Sequence, residues 1–108
     1  MIELLYWEGC PSHDEALAEL REVLRELGRE DEPVHRRSID TDEQALKEKF
    51  PGSPTIRVDG VDAFTPPEGD PIGLTCRVYR LPDGRYSPTP DRGDLRESLE
   101  RLLSTEAT

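Results

Sequence analysis

Two cysteines, Cys10 and Cys76, are the residues of this 108-residue chain best able to make and break bonds. A thiol acts as nucleophile or metal ligand only as the thiolate, so its surroundings decide what it can do. Cys10 lies in Glu8-Gly9-Cys10-Pro11-Ser12-His13, between an apolar run and a stretch of helical periodicity. A thiol at a helix start faces unpaired backbone N–H groups and the positive end of the macrodipole, and both favour the anion. Two registers are open. With Pro11 at the first helical position, Cys10 is the N-cap, and the fixed φ and missing N–H of proline suit that position. With Ser12 as the cap and Glu15 as its capping-box partner, Cys10 lies two residues outside and feels less of the dipole. The first register also accounts for Pro11 and is preferred here.

The neighbours of Cys10 give the site its other candidates. His13 lies three residues along, on the same side of the first turn. Its protonated form would stabilise a thiolate, while the helix dipole opposes that protonation. Cys76 falls in Leu74 to Leu81, where Leu74, Cys76 and Val78 share one face of a predicted strand. It reads either as a small buried hydrophobe or as the partner of Cys10, which requires Cα atoms within about 7 Å. Cys10, His13 and Cys76 together would suit Zn(II), Cu(I) or Hg(II), although they are fewer than the ligands of a structural zinc site. There is no CxxC pair, GxGxxG or HExxH, and neither a cofactor nor a resident metal is expected.

The elements that must position these residues follow from periodicity. Ile2 to Trp7 is apolar on both strand faces, as in a strand covered on both sides. Pro11 to Leu27 predicts a helix with the stripe Leu17, Leu20, Val23, Leu24 and Leu27, and Glu22–Arg25 and Glu26–Arg29 pairs on its outer face. Gly28 occupies the left-handed C-terminal position, and Glu30 to Pro33 is a charged turn. Val34 to Asp40 reads as a strand interrupted by Arg36 and Arg37. Thr41 with Gln44 caps a short helix through Phe50, which Pro51-Gly52-Ser53-Pro54 stops. Thr55 to Val58 is a strand, Asp59-Gly60 a turn, and Asp62 to Gly73 a loop. Leu74 to Leu81 is a further strand, with a Pro82-Asp83-Gly84 turn and a return through Tyr86. Asp94 with Glu97 caps a final helix striped by Leu95, Leu99, Leu102 and Leu103, and residues 105–108 should fray. The order is β-α-β-α-β-β-α. Its first two crossovers should be right-handed and make a parallel pair or trio, and its last two strands should be antiparallel.

Composition bounds the rest. The length implies one domain, residues 1–108. Only 33% of residues are apolar and 35% are charged, so the core must be drawn from the periodic blocks. The 14 Lys+Arg against 24 Asp+Glu give a net charge of −10, a field that repels nucleic acid and anionic membranes. No apolar run approaches the roughly 20 residues of a membrane span. The N-terminal residues lack the basic region and cleavage site of a signal peptide, and the expected location is the cytoplasm. Two cysteines are too few for a disulfide-stapled secreted scaffold. Among the arginines, Arg57 and Arg77 would attract an anionic thiol if they shared a face, and surface ion pairing is the simpler account.

The order of elements, Cys10-Pro11 at a helix start and Ser53-Pro54-Thr55-Ile56 before a strand together resemble the thioredoxin-like superfamily. The resemblance covers nearly the whole chain. The family's helix-opening CxxC reads Cys10-Pro11-Ser12-His13, so the first cysteine carries over and His13 stands in the resolving position. The family's proline before the third strand is cis and matches Pro54. It would leave the backbone of Ser53 free to pair with an extended substrate chain. The buried acid of the family's first strand is replaced by Leu4. Closer still is the similarity to small bacterial thioredoxin-like proteins, on Tyr6-Trp7-Glu8-Gly9-Cys10-Pro11-Ser12, Gly52-Ser53-Pro54-Thr55-Ile56 and Gly73-Leu74-Thr75-Cys76-Arg77-Val78-Tyr79-Arg80. Some of these carry names taken from alkylmercury lyases, whose two cysteines and aspartate would correspond to Cys10, Cys76 and Asp14 if the three converge.

The resemblance implies a four-stranded mixed sheet with three flanking helices and a thiol–disulfide oxidoreductase. Cys10 would attack a protein or low-molecular-weight disulfide, and a second thiol, from the small-molecule pool or from Cys76, would resolve the adduct. Pro11, Ser12, Ser53 and Pro54 would border the substrate. Two alternatives are a soft-metal or mercury-handling protein using Cys10, His13 and Cys76, and a non-enzymatic thioredoxin-like binding module.

Overall fold

The structure, a computed structural model, describes residues 1–66, 69 and 71–104. The expected fraying of 105–108 and three positions of the Asp62–Gly73 loop lie outside the described residues.

The run Ile2–Tyr6 forms the central strand β1 because it is apolar on both faces. Ile2 and Leu4 bury one face, against Leu17, Leu20, Val23 and Leu24 of helix α1 (His13–Glu26) and Leu95, Leu99 and Leu103 of helix α3 (Arg92–Ser104). Leu5 buries the other, against Ile39, Ala45 and Phe50, with Trp7 and Leu74 packed beside them. The result is an α/β architecture with helices on both faces of the sheet. Fully burying one such side chain contributes about 1.5–3 kcal/mol.

Strand β2 (Val34–Ser38) pairs with β1 in parallel across the α1 crossover. Arg36 and Arg37 do not break it, because it is an edge strand whose arginines reach acidic partners. Arg37 bonds Glu3 at 3.0 Å and Glu48 at 2.7 Å. Helix α2 (Asp42–Glu48) starts with the expected capping box: the Gln44 N–H donates to the Thr41 hydroxyl at 3.1 Å, and the Gln44 side chain accepts from the Thr41 N–H at 3.3 Å. Gly28 follows α1 at φ 74°, as its sequence position predicts.

The second half departs from expectation. Strand β3 (Thr55–Val58) pairs with β1 antiparallel, so α2 does not lead into a second parallel crossover. After Asp59-Gly60 the chain returns as β4 (Val61–Asp62), which completes a four-stranded mixed sheet in the order β2-β1-β3-β4. The predicted strand Leu74 to Leu81 does not join this sheet. It supplies β5 (Tyr79–Arg80), which pairs with β6 (Tyr86–Ser87) in a separate hairpin, and one isolated bridge between Cys76 and Ser53. The edge position was taken earlier in the chain, because a two-residue turn closes a local hairpin at less entropic cost than a long loop. At α3 the cap is Asp91, not Asp94: the Asp91 carboxylate accepts the Asp94 N–H at 3.0 Å. Burial, then Asp91 and Glu97, push the Asp94 carboxyl up, which is the reverse of a carboxylate held by a capping box. Glu22 pairs with Arg25 as expected. Arg29 instead meets Glu32, and Glu26 crosses to Arg92 and Arg96 of α3.

Candidate functional site

Cys10 and Cys76 are joined by a disulfide, with Cα atoms 5.5 Å apart and a sequence separation of 66. Cys10 follows the end of β1 through a turn in which its N–H donates to the Trp7 carbonyl at 3.0 Å. Gly9 fills the tip of that turn, where a Cβ would collide with the Trp7 indole. Pro11 and Ser12 continue as a turn that winds into α1, whose first residue is His13 and whose N-cap is Ser12. The preferred register is therefore overturned. Ser12 already has right-handed helical dihedrals, so Cys10 lies two residues outside the cap. The Ser12–Glu15 capping box is not formed either, since the Ser12 side chain makes no cap hydrogen bond. Its hydroxyl lies 3.7 Å from Cys10 Sγ.

Burial divides the pair. Cys10 is 0% exposed, whereas Cys76 is exposed. The expectation of a free, solvent-facing Cys10 thiolate and that of a buried Cys76 are both corrected. Cys10 sits beneath the irregular segment that carries the exposed Cys76.

Cys76 is held in place from far along the chain. The Ser53 N–H donates to the Thr75 carbonyl and the Arg77 N–H donates to the Ser53 carbonyl, both at 2.8 Å. The Ser53 carbonyl also lies 3.5 Å from Cys10 Sγ. The Ser53–Pro54 peptide bond is cis. The expectation that the Ser53 backbone is open to an extended substrate is thus corrected, because residues 75–77 of the same chain occupy both of its hydrogen-bonding groups. Gly52 makes this approach feasible. At φ 128° it adopts a backbone that suits glycine, and a Cβ there would lie 2.9 Å from the Arg77 nitrogen.

Arg77 anchors the segment. Its side chain is 7% exposed and bonds Asp62 at 2.9 Å, the Thr55 hydroxyl at 3.2 Å and the Phe64 carbonyl. Its guanidinium also lies 4.7 Å from the Tyr79 ring centroid. The Tyr79 hydroxyl donates to the Pro54 carbonyl, and burial pushes its phenol well above the ordinary tyrosine value. A buried guanidinium is tolerated only when it is paired and hydrogen-bonded. Arg77 therefore converts Asp62, Thr55 and Phe64 into a fixed seat for Cys76. From the sequence alone Arg77 reads as a surface cation or an attractor of anionic thiols. Its position one residue after a cysteine in a predicted strand was the available signal, and it is ambiguous without the fold. Arg57 is likewise engaged, with the Glu48 side chain and the Glu48 carbonyl at 2.7 Å.

The remaining candidates separate from the sulfurs. His13 is buried, its ring stacked on Tyr6 at 4.5 Å and its Nδ1 3.4 Å from Arg36 and from Asp14. No hydrogen bond among the described residues joins the His13 ring to either sulfur. Asp14 faces Arg36 at the surface, so it does not converge with the two cysteines. Pro11, next to Cys10 in the chain, is exposed, and Pro54 is buried. Among the described residues the buried Ser53 hydroxyl has no hydrogen-bond partner. Among the described residues, no group of three or more His, Cys, Asp or Glu is arranged to hold a metal ion. No helix among them is long and apolar enough to cross a membrane.

No protein-family model, curated protein or solved structure matches this chain.

Proposed function

We propose that the protein is a thiol–disulfide oxidoreductase whose redox centre is the Cys10–Cys76 pair, in a domain of thioredoxin-like type. The observation that carries the reading is the asymmetry of the disulfide: Cys76 is exposed, and Cys10 is buried two residues ahead of the α1 cap, with its sulfur against the Ser53 carbonyl. The α/β architecture, the four-stranded mixed sheet and the three helices support the resemblance. Cys76 supplies the second thiol that Cys10-Pro11-Ser12-His13 lacks. A purely structural disulfide gains most from being sequestered on both sides, whereas a working one needs one sulfur within reach of a thiol. In the cytoplasm, the expected compartment, the thiol pool would reduce the pair between oxidising encounters.

The test is catalysis of glutathione-dependent reduction of 2-hydroxyethyl disulfide, with the protein's circular dichroism followed in parallel. The rate should rise above background in proportion to protein and vanish in Cys76→Ser with the fold retained. A wild-type rate equal to background would overturn the reading.

A further inference from the structure

We infer that exchange at this site runs through Cys76, with Cys10 as the leaving thiolate, and that its natural co-reactant is a low-molecular-weight thiol rather than an extended polypeptide. The inference rests on the redox reading above and adds a direction and a substrate class to it. Two independent observations carry it.

The first is access along the reaction axis. A thiolate attacks a disulfide in line with the bond that breaks, so it must approach the attacked sulfur from the side opposite its partner. Approach to Cys76 comes from solvent, because that residue is exposed. Approach to Cys10 would come from the protein interior, because that residue is 0% exposed. A small thiol RSH, deprotonated to solvent, therefore forms an RS–Sγ bond at Cys76 as the Cys10–Cys76 bond breaks. The electron pair of that bond leaves on Cys10. There the Ser12 hydroxyl, 3.7 Å away, can donate to the thiolate, and once the sulfur has taken up a proton from solvent its S–H can donate to the Ser53 carbonyl, 3.5 Å away. A second RS⁻ then attacks the sulfur of the adduct's R group. RSSR leaves and Cys76 is released as thiolate. Two RSH are oxidised to RSSR, and the protein disulfide is reduced to a dithiol. The reverse sequence lets the dithiol reduce RSSR.

The second observation is the filled edge at Ser53. An extended peptide gains affinity by adding main-chain hydrogen bonds at an open strand edge. Here the Ser53 N–H and carbonyl are already bonded to Thr75 and Arg77. The guanidinium of Arg77 holds those residues in place through Asp62 and Thr55, independently of the disulfide. Reduction therefore does not vacate the edge, and a polypeptide has no backbone groups to pair with there.

Two measurements test this. In the first, Cys10→Ser and Cys76→Ser are each mixed with 5,5′-dithiobis(2-nitrobenzoate) under native conditions. Cys10→Ser should label about tenfold or more faster than Cys76→Ser, as expected for an accessible against a buried thiol. Faster labelling of Cys76→Ser would overturn the direction. Should either variant fail to fold, the wild-type protein still reports. Its oxidised form, briefly treated with N-acetylcysteine and acid-quenched, should carry the adduct on Cys76 in peptide maps, and an adduct on Cys10 would overturn it. In the second, oxidised wild type is reduced by N-acetylcysteine and by a longer extended peptide bearing one cysteine. The two second-order rate constants should agree within about threefold, as they do when no strand is added. A peptide advantage that disappears on backbone N-methylation would overturn the substrate class. Failure of every thiol to reduce the folded protein would overturn the redox reading, and this inference with it. An adduct on Cys10 would overturn this inference alone.

Discussion

The two halves of the disulfide are delivered by regions built in opposite ways. Cys10 lies within a segment whose every element has a local signal: a strand apolar on both faces, a tight turn tipped by Gly9 and an amphipathic helix. Cys76 sits on an irregular segment that stays outside the four-stranded sheet, meets Ser53 in an isolated bridge and owes its position to one buried guanidinium. The first region would keep its shape without the second. The second has no shape of its own until Arg77 finds Asp62 and Gly52 lets it approach. A disulfide made this way joins one sequestered cysteine to one that is exposed and held by contacts from elsewhere in the fold.

That contrast can be broken at its most dependent point. Arg77→Ala should cost about 3–5 kcal/mol in urea unfolding, because it strands the largely buried Asp62 carboxylate. A loss below about 1 kcal/mol would mean the ion pair does not hold the segment. Reducing the disulfide in the wild type should cost about 2–4 kcal/mol, since the bond closes a loop between residues separated by 66 in sequence. The comparison of urea midpoints with and without dithiothreitol measures it. Gly52→Ala should cost about 1–3 kcal/mol, from the positive φ and from the contact with the Arg77 backbone. It should also shift the equilibrium of the Cys10–Cys76 couple toward the dithiol. Unchanged stability would show that the segment can move aside freely.

Two smaller tests sharpen the comparison, one on each side. The buried Tyr79 phenol has its pKa raised in the folded protein, so its stability contribution is complete below the unfolded value of 10.0 and is lost as pH rises above it. Above that pH the wild type should lose up to about 1.4 kcal/mol per pH unit relative to Tyr79→Phe. Parallel alkaline curves for the two proteins would contradict the burial of the hydroxyl against Pro54. On the locally built side, Thr41→Ala removes only a helix cap and should cost about 1 kcal/mol. It should leave the thiol reactivity of Cys76 unchanged. Any change there would mean that α2 and the Cys76 segment are coupled.

Legibility in the sequence follows the same division. The stripe from Leu17 to Leu24, the Thr41–Gln44 box, Gly28 and the two-faced run Ile2–Tyr6 are all written within one or two turns of chain, and each appears in the fold. The start of α1 is ambiguous in the sequence because both Pro11 and Ser12 are good first-turn residues, and only the turn from Trp7 to Cys10 selects between them. The antiparallel β3 and the short β4 escaped because strand direction is a property of pairs. Arg36 and Arg77 look alike as letters, yet the first ends at the surface over Tyr6 and the second inside against Asp62.

What the sequence by itself determined is the set of elements with their own period or cap, and the candidacy of both cysteines. Those signals act over a few residues and need no partner. Only the tertiary structure decided that the sulfurs meet, which of them faces solvent, and that the Ser53 edge is filled from within. Each of these depends on contacts between residues 15 to 66 positions apart. Such contacts form only after loop entropy has been overcome by a core that the local pattern builds but does not describe.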